Sequence, residues 1–524
     1  EYGRLDIGVE GAGNLSNGFS GRLAVNSPSL RSRSLALDGF ATRLAIRSER
    51  RRIFVDGQTT AGQLQFGGNV LDKPSIRFTG NSSESIGQVS IDWQLASAVR
   101  TLSFGAADDV RADGKVRKDE STAALTARLQ LYGARPSAAQ QRQLANALPT
   151  AGGTPMEPLL RQLRTALGRL KRGSVAVAPV EYRTTGQQGT LFVGPPTIVA
   201  ESGARVLGNG RGMVLPLDHG QASFDGEFAL SGGGFPVATS RLALKDGVWS
   251  GSVRLRPFRA GGAQLVLAPV DFSYSAKGAR IRTHAVLDGP LGSGRIAGLG
   301  IPISMRPSRD PLNGCFRSGF RSVDLDGLHL VPASFGVCIS RHEARLDALR
   351  LAGRMGDSPL QLAANRAAIG FSRGDVSIGG LELRLGPKDR PSLLGIETLT
   401  GRFGEGRAAG KFTGAAGAIG NVPLKMSEGT GAWEVEKGKL FIHGSMMLAD
   451  ALTLDPRFNP MRLDDVSLQL ANGMVTATST VREPKTLAQV ADVAIRHDLS
   501  AGAGSANLEV RGLTFGRALQ PEML

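Results

Sequence analysis

Apolar and polar residues alternate with period two in one short run after another, and β-sheet is the regular structure that such alternation fits. In VSIDWQL, Val89, Ile91, Trp93 and Leu95 fall on one face of an extended chain, and Ser90, Asp92 and Gln94 on the other. In GGLELRLG, Leu381, Leu383 and Leu385 oppose Glu382 and Arg384. In VSLQL, Val466, Leu468 and Leu470 oppose Ser467 and Gln469. In SANLEV, Leu508 and Val510 oppose Asn507 and Glu509. Each run gives a strand with one apolar and one wet face, the pattern of antiparallel sheets. About 30 strand candidates can be counted, with edges uncertain by a few residues.

Short turn signals separate the runs. Asp246-Gly247 divides SRLALK from VWSGSVRL, and Asn472-Gly473 divides VSLQLA from MVTATSTV. Asx-Gly pairs suit two-residue hairpins because both positions accept positive φ. Lys437-Gly438 stands in the same place before KLFIHGSMML. Glycine makes up 70 of 524 residues, dispersed without a collagen period, and reads as turn punctuation. No coil repeat of fixed length appears, which a parallel β-helix would need.

One segment changes period. From Pro136 to Arg172, PSAAQQRQLANAL is rich in helix formers. TPMEPLLRQLRTALGRLKRG sets Leu159, Leu160, Leu163, Leu167 and Leu170 on one stripe. Arg161, Arg164, Arg169, Lys171 and Arg172 fall mostly opposite. Thr154 or Glu157 can cap the start, Lys171 and Arg172 complement the C-terminal dipole, and Gly173 suits the stop. One or two amphipathic helices are expected here, packed over the sheet or lying on a membrane surface.

A sheet of that many strands spans on the order of 140 Å at ~4.8 Å per strand, and its apolar face needs a cover. A sandwich or β-helix supplies packed side chains. An open trough, folded lengthwise, leaves a continuous apolar groove that suits acyl chains. Periodicity does not choose between these shapes. A mainly β chain, a long antiparallel meander with a short helical insert, is the fold class the pattern supports, with the cover of its apolar face left open.

The net charge of +16 comes from 62 Lys and Arg against 46 Asp and Glu, spread along the whole chain. It fits solvated outer strand faces or attraction to an anionic surface. Nucleic acid is disfavoured as a partner: no basic block is interleaved with aromatics, and Tyr and Trp number four and three. No apolar run approaches the ~20 residues of a membrane helix. The two cysteines, Cys315 and Cys338, lie in the strand-like runs NGCFRSGF and ASFGVCIS. A disulfide and two buried thiols fit this spacing about equally well. The six histidines, at 219, 284, 329, 342, 443 and 497, show no metal-ligand spacing, and neither H-E-x-x-H nor C-x-x-C occurs. No G-x-S-x-G elbow appears, and GNGRGM at 208–213 lacks the helix of a phosphate loop. No catalytic residue, metal site or cofactor is expected, and an enzyme is disfavoured. The chain starts and stops within β patterns, at EYGRLDIGVEG and GLTFGRALQPEML, and reads as a fragment of a longer protein.

The C-terminal half carries more specific features. These are Ile419-Gly420-Asn421-Val422-Pro423, Arg457-Phe458-x-Pro460, His497-Asp498-Leu499 with Gly502 and Gly504, and Leu519-Gln520-Pro521-Glu522. With them the chain resembles the YdbH family of Gram-negative envelope proteins, AsmA-like relatives of TamB, most closely over residues 300–524. The resemblance implies a periplasmic protein, anchored to the inner membrane, whose antiparallel meander folds lengthwise into an open trough and carries phospholipid toward the outer membrane along its apolar interior groove. Inner and outer membranes, and an outer-membrane lipoprotein, are the partners implied, through parts outside this chain. It also favours a disulfide between Cys315 and Cys338. The organisation expected is one elongated domain: groove over 1–132, helical insert over 133–173, groove over 174–524. The apolar sets above are the candidate groove residues. A structural or adhesive β-repeat protein, or an outer-membrane assembly scaffold, with a solid core is the alternative.

Overall fold

The computed structural model describes all residues except 1–3, 15–17, 33–34, 104, 147, 149–153, 171–172, 187, 219, 277, 306–313, 326, 341–342, 371–373, 390, 405–406, 419–422, 437–438, 472–473, 499–502 and 511. Several sequence signals therefore lie outside the described residues: the pairs Lys437-Gly438 and Asn472-Gly473, residues 419–422, Lys171, Arg172, His219, His342, Leu499 and Gly502.

The chain is mainly β. Its 36 described strands join in one antiparallel sheet, and almost every strand pairs with its sequence neighbour. The connections are as short as the turn signals require. At Asp246-Gly247 both residues have positive φ, 52° and 72°, and Lys245 faces Val248 across a two-residue hairpin.

Two helices interrupt the strands, α1 (Ala138–Asn146) and α2 (Met156–Arg169). The side chain of Ser137 accepts from Gln140 N, and that of Gln140 from Ser137 N, a reciprocal cap at the start of α1. In α2 the leucine stripe faces protein: Leu159 and Leu160 are buried, as is Ala166. Ala166 lies against Gly234, whose carbonyl accepts from Gln162 Nε2 at 3.1 Å. Gly173 follows α2 with φ 96°, the conformation of a C-terminal stop.

The chain divides into two compact units. Unit 1 holds residues 1–149, 160–258 and 269–281; unit 2 holds 150–159, 259–268 and 282–524. Among the described residues of unit 1 the buried apolar side chains are mostly alanines, joined by Leu71, Val110, Leu160 and Phe258. In unit 2 a buried cluster of Ile296, Phe320, Val323, Leu330 and Leu360 forms a local core. A second cluster joins Met461, Val481 and Ala491, with Phe458 and Leu524 packed on it.

Candidate functional site

Directly opposed residues of antiparallel strands share a face, so register shows whether apolar faces join up. In unit 1 they do. Val9 faces Leu23, Leu23 faces Leu44, Leu44 faces Gly57, and Gly57 faces Phe78. The row continues through Trp93, Gly114, Ala127 and Val180. It then passes through Val193, Met213, Phe224, Leu244 and Trp249 to Tyr274. No polar residue other than the terminal tyrosine interrupts it. A parallel row two residues away runs through Ile46, Val55, Gly80, Ile91, Val116 and Leu125 to Tyr182.

The other face is largely polar around the strand Gln88–Thr101, although farther along Phe192 faces Val214 on it. Asp92, facing Lys115, pairs with it at 3.0 Å, and Gln94 lies between Arg77 and Asp113. The apolar face is bounded as well. Val89 lies between Ser82 and Lys118, so polar groups take over toward the turns at that end.

Unit 2 repeats the arrangement. Ile369, Val376, Gly401, Gly410, Trp433, Ile442, Leu468, Ala477 and Ile495 stand opposite one another in turn. The Trp433 ring lies over Gly401, where a Cβ would come within 2.5 Å of it, and its Nε1 donates to Thr400 O at 3.1 Å. Glycine thus keeps the row continuous by making room for a flat aromatic ring.

The residues singled out by alternation lie on these faces with different surroundings. Ile91 and Trp93 are half-buried within the unit 1 rows, and Leu95 is half-buried on the same face between Ile76 and Ala112. Leu383 and Leu385 are half-buried too, packed against the cluster around Leu360. Leu381 lies between Ala364 and Ile396. Val466 is buried, and Leu468 and Leu470 are half-buried. Leu508, opposite Val493, is 65% exposed; Val510 lies beyond the strand Ala503–Glu509. Alternation misses Phe78, Met213, Phe224 and Trp249, together with the glycines of the row. The runs SFDGEF and VWSGS contain the signal, with glycine standing at apolar positions.

Cys315 and Cys338 face each other across adjacent strands and are bonded, S–S 2.07 Å. Cys338 also faces Arg345, and the neighbouring Val337 faces Leu346 on the apolar side. The disulfide therefore lies on the polar face, away from the apolar rows.

One further cluster closes the loop after the strand Lys439–Asp450. The buried Asp450 carboxylate accepts from Arg457 Nε and N, both at 2.7 Å, and from Leu452 N at 3.0 Å. Arg457 Nη2 also reaches Pro423 O at 3.0 Å. These bonds, the arginine's first, hold the Asp450 carboxyl well below the usual carboxylate range. They give Arg457 and Phe458 their roles: one clamps the loop, and the other packs on the Met461 cluster. Among the described residues no group of His, Cys, Asp and Glu could hold a metal ion, and no helix is long and apolar enough to cross a membrane.

No curated protein matches the chain by sequence. A family model described as YdbH-like, intermembrane phospholipid transport protein YdbH, matches residues 16–524, and the chain belongs to that family.

Proposed function

We propose that this chain carries phospholipid passively, with acyl chains sliding along its apolar sheet face while headgroups stay in water. The observation that carries this reading is the uninterrupted row from Val9 to Trp249, which offers apolar contact from strand to strand. Such contact is non-directional, worth roughly 25 cal/mol per Å² of apolar surface covered, so no single residue holds the lipid. Candidate contacts are Val89, Ile91, Trp93, Leu95, Leu381, Leu383, Leu385, Leu468, Leu470, Leu508 and Val510. The family description supports an envelope setting, and the disulfide supports an oxidising compartment, here the periplasm. Anchorage to the inner membrane, and docking toward an outer-membrane lipoprotein, belong to the same reading.

The test is lipid extraction and native mass spectrometry of the purified chain, with photo-crosslinkers at Trp93 and Leu468. Co-purifying phospholipid and adducts at both positions are expected. A lipid-free preparation with no adducts overturns the reading. It would favour a structural β protein with a filled core, for which the cluster around Leu360 is the supporting observation.

A further inference from the structure

In unit 2 the period-two pattern slips by one residue at the same level in successive strands. Inward-facing residues recur at a step of three instead of two: Leu346 then Leu349, Ala364 then Ala367, Ile378 then Leu381. Ile396 then Leu399, Phe412 then Ala415, and Met426 then Gly429 continue the line. The skipped residues point outward in pairs, such as Asn365-Arg366, Glu397-Thr398 and Ser427-Glu428, all exposed. Positive φ recurs along this line, at Ala348 (52°), Gly380 (62°), Gly414 (64°) and Glu428 (54°). From the strand Glu343–Met355 to Arg407–Ala418 the skipped residues stand opposite one another, Ala348 by Asn365 and Gly380 by Glu397, so the irregularity passes from strand to strand without a change of register.

An extra residue on one face of a strand adds backbone there and bends the strand, as it does in a bulge. Here the extra residue is always on the polar side, so the polar surface is the longer arc and the strand bends toward its apolar side. One bulge kinks one strand. A line of them folds the sheet along an axis that crosses the strands. The line also carries small buried side chains, Ala364, Ala367 and Ala415; the next row on one side carries Leu362, Leu383 and Leu394, and on the other Ile369, Val376 and Gly401.

We propose that this line of slips is the floor of an acyl-chain track in unit 2. Phospholipid tails lie across the strands along the Ala364/Ala367, Ile378/Leu381 and Phe412/Ala415 steps, between the Leu362/Leu383/Leu394 row and the Ile369/Val376 row. Gly380 and Gly414 act as positioning residues. A Cβ at Gly380 would come within 2.2 Å of the Asn365 side chain, and one at Gly414 within 2.5 Å of Glu397. The proposal rests on the reading that the apolar face holds lipid, and adds where on that face the tails lie.

A photo-crosslinker scan along the single strand Asp375–Leu385 tests it. The probe replaces Val376, Ile378, Leu381, Leu383 and Leu385 one at a time in the full chain, keeping variants that still form the disulfide and melt as the unmodified protein does. Adduct yield with phospholipid should peak at Ile378 and Leu381, about threefold above Leu385, because reaction needs contact within ~4.5 Å. A flat profile, or a maximum at Val376 or Leu385, overturns the floor while leaving lipid carriage standing. No adduct at any position overturns both. Should the probe unfold the strand, Phe412→Trp in a chain whose three native tryptophans are replaced by Phe gives a second readout. Phospholipid brominated on its tails should quench this introduced indole more than it quenches Trp433 in a chain that keeps Trp433 alone. Equal or weaker quenching sinks the proposal.

Discussion

Single glycines decide whether the apolar face is continuous. A Cβ at Gly401 would lie 2.5 Å from Trp433 Cζ2 and 2.7 Å from Ala409 O, closer than atoms can pack. Gly401→Ala should therefore destabilise by about 1–3 kcal/mol, the usual cost of overpacking. Thermal melting measures the cost, and a changed emission maximum of Trp433 locates it. The Asp450 carboxylate is a second sensitive residue. Its folded pKa is depressed by Arg457 and by two backbone N–H groups, so it binds a proton less readily in the folded than in the unfolded chain. Its contribution is fully present above the unfolded carboxylate value of about 4 and is lost as pH falls below that. Glu483, lowered chiefly by the Thr486 N–H, behaves with the same sign. Asp450→Asn should flatten the acid limb of the stability profile and leave neutral pH less stable than the parent chain. An unchanged acid limb in that variant would count against the assignment. Neither residue is legible as a site from sequence. Gly401 reads as turn punctuation, and Arg457 reads as a family mark without a stated task.

At the level of elements, local chemistry shows through wherever it is strong. Strand alternation, the Asp246-Gly247 hairpin and the leucine stripe of α2 are all readable, because each depends on residues close in sequence. The mid-strand slip is not. Its signature in SPLQLAANRAAIG is Leu360, Leu362, Ala364, then Ala367 and Ile369, and a reader seeking strict alternation sees only a run that fails. The pairing of cysteines is likewise open in sequence, because spacing alone cannot say that positions 315 and 338 stand opposite in register. That register makes the bridge a staple between two strands whose cysteines are separated by 23 residues in sequence. Replacing both cysteines with serine should cost roughly 3 kcal/mol in the chain-entropy model, seen as an earlier denaturant midpoint. In α2, Leu159 is almost completely buried, and Leu159→Ala should cost about 2–5 kcal/mol through lost contact and a residual cavity. A helix resting on a membrane surface would instead tolerate that change in solution. Equal midpoints for Leu159→Ala and the parent chain would sink the packed-helix assignment.

At the scale of the whole molecule, the two faces of one sheet differ in chemistry, and adjacent residues test whether lipid uses one of them. Carriage by summed apolar contact predicts tolerance to most single truncations, since each removes only a small part of the surface. It predicts intolerance to charge, because an unpaired carboxylate facing hydrocarbon is strongly unfavourable. Neighbouring residues of the strand Thr122–Tyr132 allow that comparison at constant backbone position. Ala127 stands in the apolar row between Gly114 and Val180, whereas Thr126 faces outward between Lys115 and Glu181. Aspartate has the same low β propensity at either site, so the cost to the strand is shared. What differs is the medium that the carboxylate meets. Ala127→Asp should lower the phospholipid recovered per mole of protein about tenfold, equivalent to roughly 1.4 kcal/mol of lost affinity. Thr126→Asp should leave recovery within about twofold, because its carboxylate stays in water, where Lys115 on one side and Glu181 on the other contribute at most ~1 kcal/mol. Truncation of a single groove leucine, such as Leu468→Ala, should fall between these. Equal lipid loads in the two aspartate variants, both folded by melting and by disulfide formation, would mean that the lipid does not use this face. A core that excludes lipid altogether would give the same equality with no load in the parent, which separates a filled sheet from an open one.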